Sequence, residues 1–377
     1  MQGLDIKMVD LVGQTRKIRS EIDAAIGNVI DAANYIKGGQ VADFERQLGE
    51  ALTSRHVVAC GNGTDALQIA LMGLGLESGD EVIVPSFTYV ASAEVIALLG
   101  LKPVFVEVNP QTFNIDPEEV KQAITPRTRA IIPVHLFGQG ADMEVIMAIA
   151  EAHGLPVIED TAQAVACSLS VGGDQRVAGT IGTIGTLSFF PSKNLGCFGD
   201  GGAILIQDDE LATRIRKLAN HGQKAKYHFE YVGCNSRLDT LQAAVLGVKL
   251  KHLSDYIAQR KKAAAYYDEH LGMLEELEVP FRDATNTDHV FHQYTVKVPA
   301  HVRSELTAYL KERGIPTQIY YPVPVHLNEA YQFLGHKAGD FPITEALSQS
   351  VFSLPMHTEL TTAQLNHITT TIREFFK

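Results

Sequence analysis

Between His56 and Gln207 the chain repeats one pattern: a short apolar run, a stretch of helical periodicity, then another short apolar run. The apolar runs are His56–Cys60, Glu81–Pro85, Lys102–Val108, Ala130–Val134, Pro156–Asp160, Thr186–Phe190 and Gly202–Gln207. Helical spacing fills Ala66–Leu74, Ala91–Leu99, Asp116–Ile124 and Met143–His153 between them. A strand that is apolar throughout needs cover on both faces, and strands joined by helices run parallel. The pattern therefore predicts an α/β fold, a mostly parallel central sheet flanked by helices. Gly100, Gly154 and Gly222 follow helical stretches, as C-terminal stops should.

The flanks read differently. Ile18, Ile22, Ala25, Ile26, Val29 and Ile30 recur at helical spacing, so the N-terminal segment should be helical. A long helical stretch, with room for one break, runs from Leu238 through Leu271. Beyond it the residues predict strand His289–Val298, helix Val302–Arg313, strand Pro316–Tyr321 and a last helix over Thr362–Phe376. That is a smaller α+β domain. The expected division is 1–254 for the N-terminal helices and large domain, and 255–377 for the small one.

A chain of 377 residues can bury a sizeable core without covalent staples. Its cysteines, Cys60, Cys167, Cys197 and Cys234, stand far apart and fit no zinc spacing, so no metal is expected. Reduced thiols in a chain this size suit a cytoplasmic enzyme. Met1–Lys7 lacks a basic stretch followed by an apolar one, and no apolar run reaches about 18 residues, so neither a secretory signal nor a membrane span is expected. A net charge of −12 argues against nucleic acid as a partner and leaves small anions open.

The chemistry gathers where the strands end. Ile158-Glu-Asp160-Thr-Ala-Gln163 closes a buried strand on a carboxylate. Ser188-Phe-Phe-Pro-Ser-Lys-Asn-Leu-Gly196 reads as a strand running into a loop that displays the amine of Lys193. Taken singly, each is most often a surface lysine and an aspartate at a strand end. Together they are an amine able to form a Schiff base and a carboxylate able to pair with a pyridinium nitrogen, the minimum for pyridoxal phosphate chemistry. Gly196, Gly199, Gly201 and Gly202 would let backbone approach such a group closely.

Gly61-Asn-Gly63-Thr64-Asp65-Ala66 follows a strand and opens a helix, formally a dinucleotide fingerprint. The second strand, however, ends in Pro85-Ser86 and has its acid at its start, where it cannot hold a ribose. A phosphate on free N–H groups at the helix N-terminus, with Thr64 adding a hydroxyl, is the better reading, with a capped tight turn as the alternative. Tyr89, just past the second strand, either lays its ring on a planar cofactor or is a half-buried aromatic. Asn235 and Arg237, ahead of the long helical stretch, are either anion contacts or a helix start.

The order of these segments, with Gly199-Asp-Gly-Gly-Ala203 and Gly233-Cys-Asn-Ser-Arg-Leu-Asp239, resembles the DegT/DnrJ/EryC1/StrS family of nucleotide-sugar aminotransferases from about Asp5 to the C-terminus. The resemblance implies the fold type I aminotransferase architecture and a homodimer with shared active sites. It implies that Lys193 forms the Schiff base, Asp160 pairs with the pyridine nitrogen, Gln163 contacts the ring oxygen region and Tyr89 stacks on the ring. Gly63, Thr64, the backbone at Asp65 and Ser188 would hold the phosphate, joined by Asn235 from the partner subunit; Arg237 would contact substrate. One branch of the family has His in place of this lysine and dehydrates its substrate, so Lys193 puts the chain with the aminotransferases.

The segments His289-Val-Phe-His292-Gln-Tyr294, Tyr320-Tyr321-Pro-Val-Pro-Val-His326 and Ser353-Leu-Pro-Met-His357 look most like members that aminate C3 of a UDP-linked 3-keto-N-acetylglucosaminuronic acid for surface polysaccharides. L-glutamate would be the donor, and Tyr320 and His326 would join Arg237 at the sugar nucleotide. Many 3-aminating relatives have His where this chain has Tyr320. Singly, His292 and His326 are more often structural than ligands. The alternatives are C4 amination of a 4-keto-6-deoxy sugar nucleotide, a non-catalytic regulator with the same fold, and a nicotinamide oxidoreductase.

Overall fold

The computed structural model describes residues 4–282 and 287–377; residues 1–3 of the N-terminal segment and 283–286 lie outside it. Seven strands form one continuous sheet: β1 (His56–Cys60), β2 (Glu81–Pro85), β3 (Lys102–Val106), β4 (Thr128–Ile131), β5 (Ile158–Asp160), β6 (Ile184–Ser188) and β7 (Gly202–Ile206). β2 lies between β3 and β4, all parallel. Parallel bridges Ile131–Val157 and Val134–Asp160 carry the sheet from β4 to β5. β5 pairs parallel with β6, and β7 runs antiparallel between β6 and β1. The order is thus β3-β2-β4-β5-β6-β7-β1, with β7 alone reversed.

The strands are buried on both faces, and successive residues alternate between two cores. Val57 and Ala59 of β1 face a core built with Phe44, Leu48 and Leu52 of the helix Gly39–Leu52 and Leu246 of the helix Thr240–Leu250. Val58 and Cys60 face the other core, with Ile69 and Ala70 of the helix Gly63–Leu74 and Ile215 of the helix Asp209–Leu218. Helix starts are set locally. The side chains of Asn62, Asp142 and Asp208 accept from the N–H groups of Asp65, Val145 and Leu211. Gly154 ends the helix Met143–His153 in the left-handed conformation, φ 64°.

A third core joins the helices Leu253–Leu271, Ala300–Glu312 and Thr362–Phe375 to an antiparallel pair, β8 (Tyr294–Lys297) with β9 (Val351–Leu354). Ile6 is buried in it, so the N-terminal segment crosses to the C-terminal part of the chain. The expected strand His289–Val298 is shorter than its sequence suggested. Val290 and Gln293 donate their N–H groups to Gly138 and Phe137 instead of to a neighbouring strand. The expected strand Pro316–Tyr321 does not form; only Gln318 pairs with Ser353. Ser353 lies in β9, which together with the helix Pro342–Ser350 was not foreseen. The break in the long helical stretch falls between Leu250 and Leu253.

Candidate active site

Asp160 is the last residue of β5 and is buried. Its Oδ2 accepts from the Ser92 hydroxyl at 2.7 Å and its Oδ1 from the Ala162 N–H at 3.1 Å. Lys193 hangs from the loop between β6 and β7. That loop is closed on itself: Lys193 N–H donates to Phe190 O at 2.9 Å and Cys197 N–H to Phe189 O at 2.8 Å. A Cβ at Gly196 would run into the carbonyl oxygens of Pro191 and Phe190. The buried ammonium of Lys249 donates to Gly196 O at 2.7 Å from behind. Burial pulls the Lys193 amine down to about 8, against the opposing charge of Asp160. The amine therefore sheds its proton far more readily than a surface lysine, beside a carboxylate held by two donors.

The helix Gly63–Leu74 begins against the end of β6. A Cβ at Gly63 would stand 2.6 Å from Ser188 Cβ, so only bare backbone fits there. Gly63, Thr64 and Ser188 thus meet at one helix N-terminus. The Asp65 N–H, expected to face a phosphate, is taken by Asn62 Oδ1 at 2.8 Å. Asp65 Oδ2 accepts from the Ser236 hydroxyl at 2.6 Å, and Ser236 Oγ accepts from Gly61 N–H at 2.9 Å. Ser236, which sequence reasoning passed over, thereby ties the 233–237 segment to this cup. Its neighbour Asn235 is exposed. Arg237 is half-buried near Lys37, whose amine is lowered by burial and by the Arg237 charge.

Gln163 is fixed at both ends: Oε1 accepts from Phe137 N–H at 2.8 Å, and Nε2 donates to the Tyr321 hydroxyl at 3.1 Å. The Tyr321 ring lies 6.2 Å from that of Tyr89, which is exposed. Burial pushes the Tyr321 phenol up. Tyr320 is half-buried between Phe137 and Tyr321. His326 lies elsewhere. Its side chain has no exposed area and sits 3.2 Å from Glu345 and against the Phe341 ring. Those contacts belong to an interior histidine, not to a side chain reaching for substrate. His292 is buried as well and lies close enough to the Lys193 and Arg260 charges to be held well below the usual imidazole range, burial being the larger cause.

The sheet edge therefore collects Lys193, Asp160, Gln163, Tyr89, Ser188, Gly63 and Thr64, with Asn235 turned outward and His326 apart. Ser92, Tyr321 and Ser236 are the residues here to which sequence reasoning gave no role. Ser92 lies three residues beyond Tyr89, so its place near the edge was readable although its bond to Asp160 was not. Among the described residues, no group of three or more His, Cys, Asp and Glu side chains could hold a metal, and no helix is long and apolar enough to cross a membrane.

Residues 16–373 match the model of the DegT/DnrJ/EryC1/StrS aminotransferase family. The chain belongs to that family. It is 46% identical to the UDP-2-acetamido-2-deoxy-3-oxo-D-glucuronate aminotransferase of Pseudomonas aeruginosa, across 96% of this chain and 98% of that one. It is 45% identical, across 99% of both, to a protein of Geobacillus stearothermophilus called a pleiotropic regulatory protein. Its fold superposes on the crystal structure of S. venezuelae DesV in complex with a ketimine intermediate, with a TM-score of 0.94, 42% identity and 98% of each chain covered.

Proposed function

We propose that this aminotransferase moves an amino group from L-glutamate to C3 of UDP-2-acetamido-2-deoxy-3-keto-glucuronic acid, in the cytoplasm, for surface-polysaccharide biosynthesis. Action on a nucleotide-linked keto sugar follows from the family. The uronic acid and C3 rest on one observation, the 46% identity over nearly the whole chain to an enzyme of that name. The architecture supports the fold type I reading, with a small α+β domain from residue 255.

The family depends on pyridoxal 5′-phosphate, and the site fits it. A desolvated amine faces a buried carboxylate, and a glycine whose Cβ would fill the cup meets two hydroxyls at a helix N-terminus. The cofactor, when bound, supplies the carbonyl that receives the amino group and the ring that takes up electrons. Lys193 would hold it through its amine and, when free, would serve as the base and then the acid that moves the proton. Asp160 would pair with the ring nitrogen. Gln163, pinned by Phe137 and Tyr321, would contact the ring oxygen region, and Tyr89 would cover the ring. Gly63, Thr64 and Ser188 would hold the phosphate.

Arg237 and Tyr320 are the proposed substrate contacts in this chain. The burial of His326 against Glu345 leaves it a supporting part. Asn235 completes the phosphate site of a second copy. Uncovered apolar side chains support such a homodimer: Tyr227, Phe229 and Val232 precede Asn235, and Phe190 and Phe198 flank the Lys193 loop.

The test is a panel of nucleotide-linked keto sugars with glutamate, read by mass spectrometry for the amino sugar. Amination of the UDP-linked 3-keto-uronic acid ahead of its neutral 3-keto counterpart supports the assignment. Amination only of 4-keto-6-deoxy sugars replaces it with the C4 reading. No amination of any sugar, with cofactor bound, would favour the regulatory role that the name of the Geobacillus relative suggests.

A further inference from the structure

Glu159 precedes Asp160 in β5, and its side chain has no exposed area. Successive strand residues point to opposite faces, so its carboxylate lies behind the one that serves the cofactor. A buried carboxylate is costly unless each oxygen is paired. Here both are. Oε1 accepts from the N–H groups of Ile181 at 2.8 Å and Gly182 at 2.6 Å. Oε2 accepts from the Gly179 N–H at 2.8 Å and lies 3.0 Å from His135 Nε2.

The tautomer of His135 is fixed by its other nitrogen. Nδ1 accepts from the Ala141 N–H at 3.0 Å and so carries no proton. The ring proton is on Nε2 and points at Glu159. Four donors thus converge on this carboxylate, all of them neutral. The same His135 reaches Asp160 through its main chain. Its N–H donates to Asp160 O at 3.0 Å, while the Asp160 N–H donates to Pro133 O at 2.9 Å.

Three segments, 133–141, 159–160 and 179–182, are therefore locked around one buried group. Their close approach depends on glycine. A Cβ at Gly182 would stand 2.8 Å from Val157 O, and one at Gly179, φ +87°, would stand 3.1 Å from Thr161 Oγ1. Well-packed apolar side chains would fill such a space at no loss of stability. What a fully satisfied polar network adds is a single arrangement.

We propose that Glu159 and His135 are positioning residues for Asp160, holding the end of β5 so that the Asp160 carboxylate stays aligned with the cofactor's ring nitrogen. This rests on the reading of Asp160 as the partner of that nitrogen.

The experiment strips the cofactor and titrates the protein with pyridoxal 5′-phosphate and with its 1-deaza analogue, in which carbon replaces the ring nitrogen. The readout is the ratio of the two dissociation constants, followed by absorbance, with circular dichroism to confirm folding. Wild type should prefer the natural cofactor by roughly tenfold or more, the size of a charged hydrogen bond. Asp160→Asn should collapse that preference. Glu159→Gln and His135→Gln, if folded, should narrow it towards the Asp160→Asn value while the deaza analogue binds as it does to wild type. Equal weakening of both ligands, or an unchanged ratio, would overturn the positioning role, and so would failure of both variants to fold. If Asp160→Asn keeps the wild-type ratio, the fault lies in the Asp160 assignment itself.

Discussion

An amine attacks a carbonyl only after shedding its proton, and burial brings Lys193 to about 8, which suits the Schiff-base role proposed for it. Cofactor added to the stripped protein and reduced with borohydride should leave the pyridoxyl mass on Lys193 by peptide mapping; a mass on another lysine would reassign the site. Lys249, which is buried, is lowered to about 8 too, and among the described residues neither it nor Lys193 forms an ion pair. Both amines release their protons near pH 8 when folded but hold them to about 10.5 when unfolded. The unfolded chain binds more protons across that window, so these groups make stability rise with pH from about 8 to 10.5, and their burial penalty is in full force below 8. Lys193→Ala and Lys249→Met should each shrink the difference in urea midpoint between about pH 7 and pH 10 relative to wild type. An unchanged difference in either variant would mean that amine is not desolvated.

At the scale of elements, the cup proposed for the phosphate depends on the helix Gly63–Leu74 abutting the end of β6. Gly63→Ala should force the two apart. Affinity for pyridoxal 5′-phosphate should fall about tenfold, as for a lost charged hydrogen bond, while affinity for pyridoxal stays near wild type. Equal losses for both would place the damage outside the cup. The sequence spoke clearly about elements of this kind. The seven central strands were legible because most carry a short apolar run, although the starts expected for β4 and β6 were displaced by two residues. Asp160, Lys193 and Ser188 were legible because strand ends and glycine-rich loops are local features. The strand expected at Pro316–Tyr321 failed because pairing is decided by partners: Tyr321 turns to Gln163, 158 positions away, and β9 takes the place beside β8. Ser92, His135 and Glu159 likewise act through distant contacts that leave no periodic trace.

For the whole molecule, the open question of assembly has a direct answer. If Asn235 serves the neighbour's site, inactive Lys193→Ala and inactive Asn235→Ala subunits mixed in equal amounts should recover about a quarter of wild-type activity. Half the dimers would be mixed, and each would hold one intact site. No recovery after proven subunit exchange would put both residues in the same chain's site. The reversed strand β7 has a consequence for biosynthesis as well. Among the described residues β1 pairs only with β7, His56 lying opposite Ile206, 150 positions later. A ribosome adding roughly 5–20 residues each second needs some 8–30 s to make that stretch. During that interval β1 has no strand to pair with, so its edge stays open to wrong partners unless the adjoining helices cover it.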